Sequence, residues 1–264
     1  MRRFRVACVQ FAVRPMDVAH NVSKALAWLE RAATELQPDL VVFPETISTG
    51  FHPNMEPGEF WKLLEPIDGP TVTRVASEAA RHRLHVVWPT WERGDNGIIH
   101  NSAALIGPDG RTLGVYRKTH PFPTERVYTT PGTTVEPVET ELGRIGMVIC
   151  YDGDFPELVR TYALKGAEVV LRPSALLRDY EIWSLTNRAR AYDNQIYFVA
   201  VNSVGADAKG NYYFGHSMVV DPLGNIVSLA RGGEQMIAAD LDPATRGKSL
   251  VQHLDDRNPG VYRC

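Results

Sequence analysis

The pattern of apolar and polar positions divides the chain into alternating elements. Near the start, "FRVACVQF" reads as a strand, and "NVSKALAWLERAATEL" repeats apolar residues at helical spacing. "DLVVFPE" and "LHVVWPTWE" read as strands on either side of an amphipathic helix, "TVTRVASEAARHR". "HNSAALIGPDGRTLGVYRK" predicts two strands folded about Pro108, Asp109 and Gly110, and "HSMVVDPLGNIVSLA" repeats that hairpin logic around "DPLGN". Between the hairpins lie the strand "GRIGMVIC", a helix "PELVRTYALKG" ended by Gly166, and the strand "AEVVLRP". The helix "EIWSLTNRARAYDN" and the strand "QIYFVAVNS" follow, and "EQMIAADLD" is the last clear strand.

Helices alternate with buried-looking strands, but the interleaved hairpins do not belong to a pure βαβ repeat. The pattern predicts an α/β fold of mixed sheets with helices on their outer faces. No linker or low-complexity stretch interrupts it, so residues 1–264 are expected to form a single domain. The tail "RGKSLVQHLDDRNPGVYRC", residues 246–264, is polar and irregular, and is expected to leave the core and pack on something else, such as a second subunit.

Composition narrows the function. The chain has 264 residues and is 44% hydrophobic, enough for a sizeable core. Its formal net charge is −3 and its Lys and Arg are dispersed, which argues against a nucleic-acid partner. No apolar run reaches the length of a membrane span. "MRRFRVACVQF" is basic, but its apolar part is short and contains Gln10, so it reads as a first strand and not as a signal peptide. The cysteines are Cys8, Cys150 and Cys264, too few for a disulfide framework, which favours a reducing, cytoplasmic setting. His82 and His85 form an H-x-x-H with no other ligand-like cluster nearby, so no metal and no other cofactor is expected.

The candidate chemistry begins at "IGMVICYDGDFPELV", residues 145–159, where an apolar strand delivers Cys150 to a turn. Asp154, Pro156 and Glu157 form a helix-start pattern, with Asp154 as N-cap and Glu157 closing a capping box. Catalytic groups favour such strand ends, and a helix N-terminus lowers a thiol's pKa. A small buried core residue is an equally open reading of Cys150. "DLVVFPETISTGF" has the same shape and ends in Pro44 and Glu45. "LGVYRKTHPFPTE" ends a strand at Lys118 and continues to Glu125. Alone, each of these charges reads as a solvated strand end or loop residue.

Taken together, and in this order and spacing, "FPETISTGF", "YRKTHPF" and "GMVICYDGDFPE" resemble the motifs of the nitrilase superfamily of carbon–nitrogen hydrolases. "VQFAV", "HNSAALIGPDG", "NRARAYDNQIYFVAVNSVG", "FGHSMVVDPLGNIV" and "DRNPGVY" extend the resemblance over nearly the whole chain. The resemblance implies a four-layer α-β-β-α sandwich and a triad in which Glu45 is the general base, Lys118 stabilises an oxyanion and Cys150 is the nucleophile. It places Glu125 as a second glutamate beside the site. It also implies a homodimer or a larger even-numbered assembly, with the C-terminal segment reaching across. Tyr151-Asp152 stands where true nitrilases tend to carry Trp-Glu, which points to an amidase acting on a small-molecule carboxamide. Some carbamoyl-amino-acid hydrolases carry an Arg pair at the positions of Gly153 and Asp154; here only Arg172 or Arg178 could supply that charge. Phe51, Tyr151, Trp183 and the "PSALL" loop, with Ser174 and Ala175, would make a largely apolar pocket wall. His120 and His216 are candidates for a Cys–His pair, with Glu45 preferred as the base because its own motif matches. The alternatives are an N-carbamoyl hydrolase, a nitrilase, an acyltransferase that passes the thioester to an amine, and a catalytically silent binding protein.

Overall fold

The computed structural model describes residues 1–262, so Cys264, at the end of the expected tail, lies outside the described residues. In chain order the elements are β1 (Phe4–Gln10), α1 (Val18–Arg31), β2 (Leu40–Val42), α2 (Pro57–Leu63), α3 (Pro70–His82), β3 (His85–Arg93), β4 (Ile99–Ile106) and β5 (Thr112–Arg117). They continue with β6 (Val138–Thr140), β7 (Gly143–Met147), α4 (Pro156–Leu164), β8 (Val169–Ser174), α5 (Tyr180–Asn194) and β9 (Tyr197–Asn202). The last are β10 (Val204–Ala206), β11 (Tyr212–Phe214), β12 (Met218–Val220), β13 (Ile226–Leu229) and β14 (Gln235–Leu241).

Two mixed sheets result, ordered β14-β1-β2-β3-β4-β5 and β13-β12-β9-β8-β7-β6. Each has a parallel centre, β1-β2-β3 or β7-β8-β9, flanked by antiparallel strands. Side chains alternate across a strand, and this alternation builds the layers. Val6 and Cys8 of β1, Leu40 and Val42 of β2, and Ala103 and Leu105 of β4 join one core with Ile145, Val169, Leu171 and Val199 of the second sheet. Their neighbours Ala7, Val9, Val41, Ala104 and Ile106 face the other way, against Val22, Ala25 and Leu29 of α1 and Val72, Val75 and Ala79 of α3. On the far side, α5 packs on β9 and β12 and against α4. The order is therefore helices, sheet, sheet, helices: the expected four-layer sandwich.

Both predicted hairpins form, as β4-β5 and β12-β13. Gly110 and Gly224 sit at their turns with φ of +80° and +81°, a region that favours glycine. The apolar pattern does not show α2, β6 or the β10-β11 hairpin. Each is too short for a period to emerge, and α2 buries only Phe60.

One local expectation is corrected. Asp154 does not cap α4: the helix follows Phe155 without a side-chain cap. The Asp154 carboxylate instead meets Arg172 at 3.2 Å and Arg178 at 2.7 Å. Charged donors outcompete a neutral backbone N–H for a carboxylate.

The tail folds into short turns over Pro243–Lys248 and Pro259–Val261. Gln195, at the end of α5, holds it by bonding the Val251 carbonyl and the His253 N–H. Leu254 packs on the core, while Leu250, Val251, Val261 and Tyr262 stay exposed. Among the described residues no helix is long and apolar enough to cross a membrane.

The position of Leu171, fully buried on β8 in the core that the two sheets share, generates a stability prediction. Leu171→Ala should cost about 2–5 kcal/mol, read as a lower midpoint in urea denaturation.

Candidate active site

The site lies where segments from both sheets leave the core. Val148 extends β7 by bonding the Leu171 carbonyl, and the chain then enters a 3₁₀ turn over Cys150–Asp154. Cys150 itself has φ of +49°, a left-handed conformation that strains a non-glycine residue. The strain is held by contacts on all sides. The Cys150 carbonyl accepts from Arg172 Nε at 2.8 Å. The Asp152 carboxylate, fully buried, accepts from the Ile149 N–H at 2.9 Å, the Tyr116 hydroxyl at 2.8 Å and the His120 N–H at 2.9 Å. Asp152 thus fastens the cysteine turn of one sheet to the end of β5 in the other.

Glu45 follows β2 and is buried. Its Oε1 accepts from Lys118 Nζ at 2.8 Å and from Asn101 Nδ2 at 2.7 Å, and its Oε2 accepts from the Ala175 N–H at 2.8 Å. Lys118 follows β5, with its own N–H on the Asn101 carbonyl. Its ammonium also meets Glu125 Oε1 at 2.8 Å. Glu125 is fully buried and accepts from the Phe122 N–H at 2.9 Å and from Asn101 Nδ2 at 3.2 Å. The structure therefore brings Glu45, Lys118 and Glu125 into direct contact, and none of them is a solvated strand end.

Electrostatics follow from this burial. Burial alone would lower the Lys118 pKa, but Glu45 and Glu125 outweigh it and hold the ammonium above the ordinary lysine value. Burial pushes the Glu125 carboxyl up against the pull of Lys118, and Glu45 adds to the push. Burial and then Glu45 raise the Cys150 thiol well above its ordinary value; Lys118, Arg172 and the Ala175 N–H offset this only in part. The expectation that a helix end depresses this thiol is thus overturned, because α4 starts six residues on and desolvation dominates.

A cavity with about 330 Å³ of empty space opens over the thiol. Phe51, Phe122, Tyr151, Ala175, Leu176, Leu177 and Arg178 line it with Cys150. Phe51, Tyr151 and Ala175 therefore stand where the sequence placed them. Ser174 does not: its hydroxyl donates within β8 to the Arg172 carbonyl, and the wall begins one residue later. Trp183 is also displaced from the wall, buried beneath the Arg172 guanidinium with its indole N–H on the His216 carbonyl. His120 stacks on Phe155 at 3.8 Å and pairs with Asp152. His216 bonds the Phe214 carbonyl and lies against Tyr180, outside the cavity lining. His82 bonds Glu30 at the surface, while His85 is buried on β3, so the H-x-x-H pair is split.

Both arginines that could stand in for the missing Arg pair are already engaged. Arg172 is fully buried under the cysteine turn, bonding the Cys150 carbonyl, Asn187 and Asp154. Arg178 reaches the cavity but is held by Asp154. Sequence reasoning missed Asn101, Asp152 as a fastener and Phe122 in the wall. The available signal was the polar Asn101 inside the apolar strand of "HNSAALIGPDG".

Residues 5–249 match the family model described as carbon-nitrogen hydrolase. The chain is 34% identical to an (R)-stereoselective amidase of a Pseudomonas species over 96% of this chain and 91% of that protein. It is 31% identical to the omega-amidase NIT2 of Homo sapiens over 92% and 90% of the two chains. Among solved structures it resembles an amidase from Nesterenkonia sp., with TM-score 0.85, 27% identity and 97% and 94% coverage. This chain belongs to the carbon–nitrogen hydrolase family, and its fold is that of the nitrilase superfamily.

The packing of Arg172 generates a prediction. A Cβ added at Gly153 would lie 2.2 Å from Arg172 Nε and Cζ, so Arg172 would have to leave the Cys150 carbonyl. Gly153→Ala should destabilise by about 1–3 kcal/mol as an overpacked site does, measured by chemical denaturation. A wild-type midpoint would show that the guanidinium is not wedged there.

Proposed function

We propose that this hydrolase is an amidase that converts a small carboxamide to its carboxylate and ammonia through a thioester on Cys150. The observation that carries the reading is the contact between the buried Glu45 carboxylate and the Lys118 ammonium, joined through the Ala175 N–H to the cavity that holds Cys150. Relatives named amidase and omega-amidase support it.

In this reading the resting thiol is protonated, since burial and Glu45 hold it so. Attack and deprotonation are then coupled. Glu45 takes the thiol proton as the sulfur bonds to the carbonyl carbon. The carbonyl oxygen becomes an oxyanion, stabilised by the Lys118 ammonium and the Tyr151 N–H. Glu45 passes the proton to the leaving nitrogen, the C–N bond breaks, and ammonia departs. Water, deprotonated by Glu45, attacks the thioester; the C–S bond breaks and Cys150 regains its proton. Lys118 keeps its charge throughout, because two carboxylates hold it. Glu125 fixes the ammonium in place. The apolar wall favours a small acyl group, and the crowding of Gly153 by Arg172 disfavours a carbamoyl-acid clamp at that position.

We also propose that residues 1–264 act as one domain, and that the enzyme works as a homodimer or larger even-numbered assembly in the cytoplasm. Exposed Leu250, Val251, Val261 and Tyr262 on the tail support the assembly, since apolar groups there gain cover from a two-fold partner. The unpaired thiols Cys8 and Cys150 support a reducing compartment.

Ammonia release from a panel of amides, nitriles and N-carbamoyl compounds tests the reaction. Cys150→Ala should abolish turnover. Glu45→Gln should slow both thioester formation and its hydrolysis, and Lys118→Ala should cost roughly a hundredfold or more. EDTA should change nothing. A Cys150→Ala variant with wild-type activity would sink the mechanism. For the assembly, sedimentation should show an even-numbered oligomer, and deletion of residues 246–264 should yield monomers or aggregates. A full-length monomer at micromolar concentration would refute it.

A further inference from the structure

Asn101 sits on β4 and is buried, with one amide nitrogen reaching two acids, Glu45 at 2.7 Å and Glu125 at 3.2 Å. Among the described residues it is the sole donor to Glu125 Oε2. Its own carbonyl receives the Lys118 N–H. Its side-chain oxygen is buried without a partner. Flipping the amide would aim the oxygen at two carboxylates and leave both short of a donor, so the surroundings fix the nitrogen inward. A buried polar atom left unpaired costs free energy, and here the cost is tolerated to keep two N–H bonds on two acids.

Two carboxylates around one ammonium leave an excess negative charge in a desolvated site. Such crowding favours protonation of one of the acids. A proton held on Glu45 would leave it unable to accept one from the thiol. A neutral donor to both acids favours their ionised forms without adding a second charge to the site.

We propose that Asn101 is a positioning residue that keeps Glu45 and Glu125 separately ionised, and so sets the lower pH bound of Cys150 reactivity. The inference rests on the proposed role of Glu45 as base. The charged and titratable groups around the pair are Lys118 beyond β5, Cys150 and Asp152 in the turn after β7, His52 after β2, Arg172 of β8, Tyr128 near Glu125, and Tyr213 of β11. Of the groups touching both acids, Lys118 and Asn101 donate to each, and only Asn101 can be replaced without removing a charge.

The test compares wild type with Asn101→Leu, which is nearly isosteric and has no donor, and with Asn101→Ser, which keeps one hydroxyl donor. The first readout is the pH dependence of Cys150 alkylation by iodoacetamide, followed by peptide mass, which needs no amide turnover. The second is kcat/KM on an amide that the wild type hydrolyses. In Asn101→Leu the acid limb of both profiles should move up by about one pH unit, with KM little changed and much of the rate recovered above the new limb. Asn101→Ser should shift in the same direction by less. A uniform loss with an unmoved limb would mark a merely structural residue and overturn the proposal. Should Asn101→Leu fail to fold, an unmoved limb in Asn101→Ser overturns it equally. A wild type that hydrolyses no amide would sink the amidase reading alone, since alkylation still reports on Asn101.

Discussion

A lysine ammonium wholly removed from water is the constraint on which this structure turns. Such a charge costs several kcal/mol unless it is paired and hydrogen-bonded. Lys118 meets that demand with Glu45 and Glu125, each at 2.8 Å. The two acids are themselves buried, so each needs donors beyond the lysine. Glu45 finds one in the Ala175 N–H and Glu125 finds one in the Phe122 N–H. Those donors lie on loops that leave different sheets. Asn101 donates to both acids as well, and with the Ala175 N–H supplied by the second sheet the charged centre is complete only when the sandwich is closed.

The fold was largely legible because strand alternation and turn chemistry are local properties. Hairpins at "GPDGR" and "DPLGN" need only their own residues, and the alternation of Val6 and Cys8 against Ala7 and Val9 is written within one strand. The contacting charges Glu45 and Lys118 stand just past β2 and β5, as their segments suggest, whereas Glu125 lies in the loop beyond. What stayed hidden depends on residues far away in the chain. Asn101 reaches Glu45 across 56 positions, and Asp152 reaches Tyr116 across 36. Asp154 misled for the same reason: its local pattern is a sound helix cap, yet Arg172 and Arg178 claim it. The sign of the thiol's shift was likewise invisible, since desolvation is a property of the assembled core.

Arg172 shows how one buried side chain can organise a turn. Its guanidinium is spent on Cys150, Asn187 and Asp154, with Trp183 beneath it. It leaves no room for a side chain at position 153, which is why glycine stands there. The left-handed backbone of Cys150 is held from one side by this arginine and from the other by Asp152. Such strain persists only where the surroundings over-determine it.

The wall of the cavity is anchored in a way that separates two kinds of evolutionary change. The Ala175 N–H is tied to Glu45, and the Leu176 N–H is tied to Asn202. Both ties run through the backbone, so they are indifferent to which side chain stands at either position. A descendant of this protein can reshape the wall at residues 175–177, one codon at a time, while Glu45 keeps its backbone contact. Change in the shape of the cavity is then cheap, and it does not pass through a break in the charged cluster.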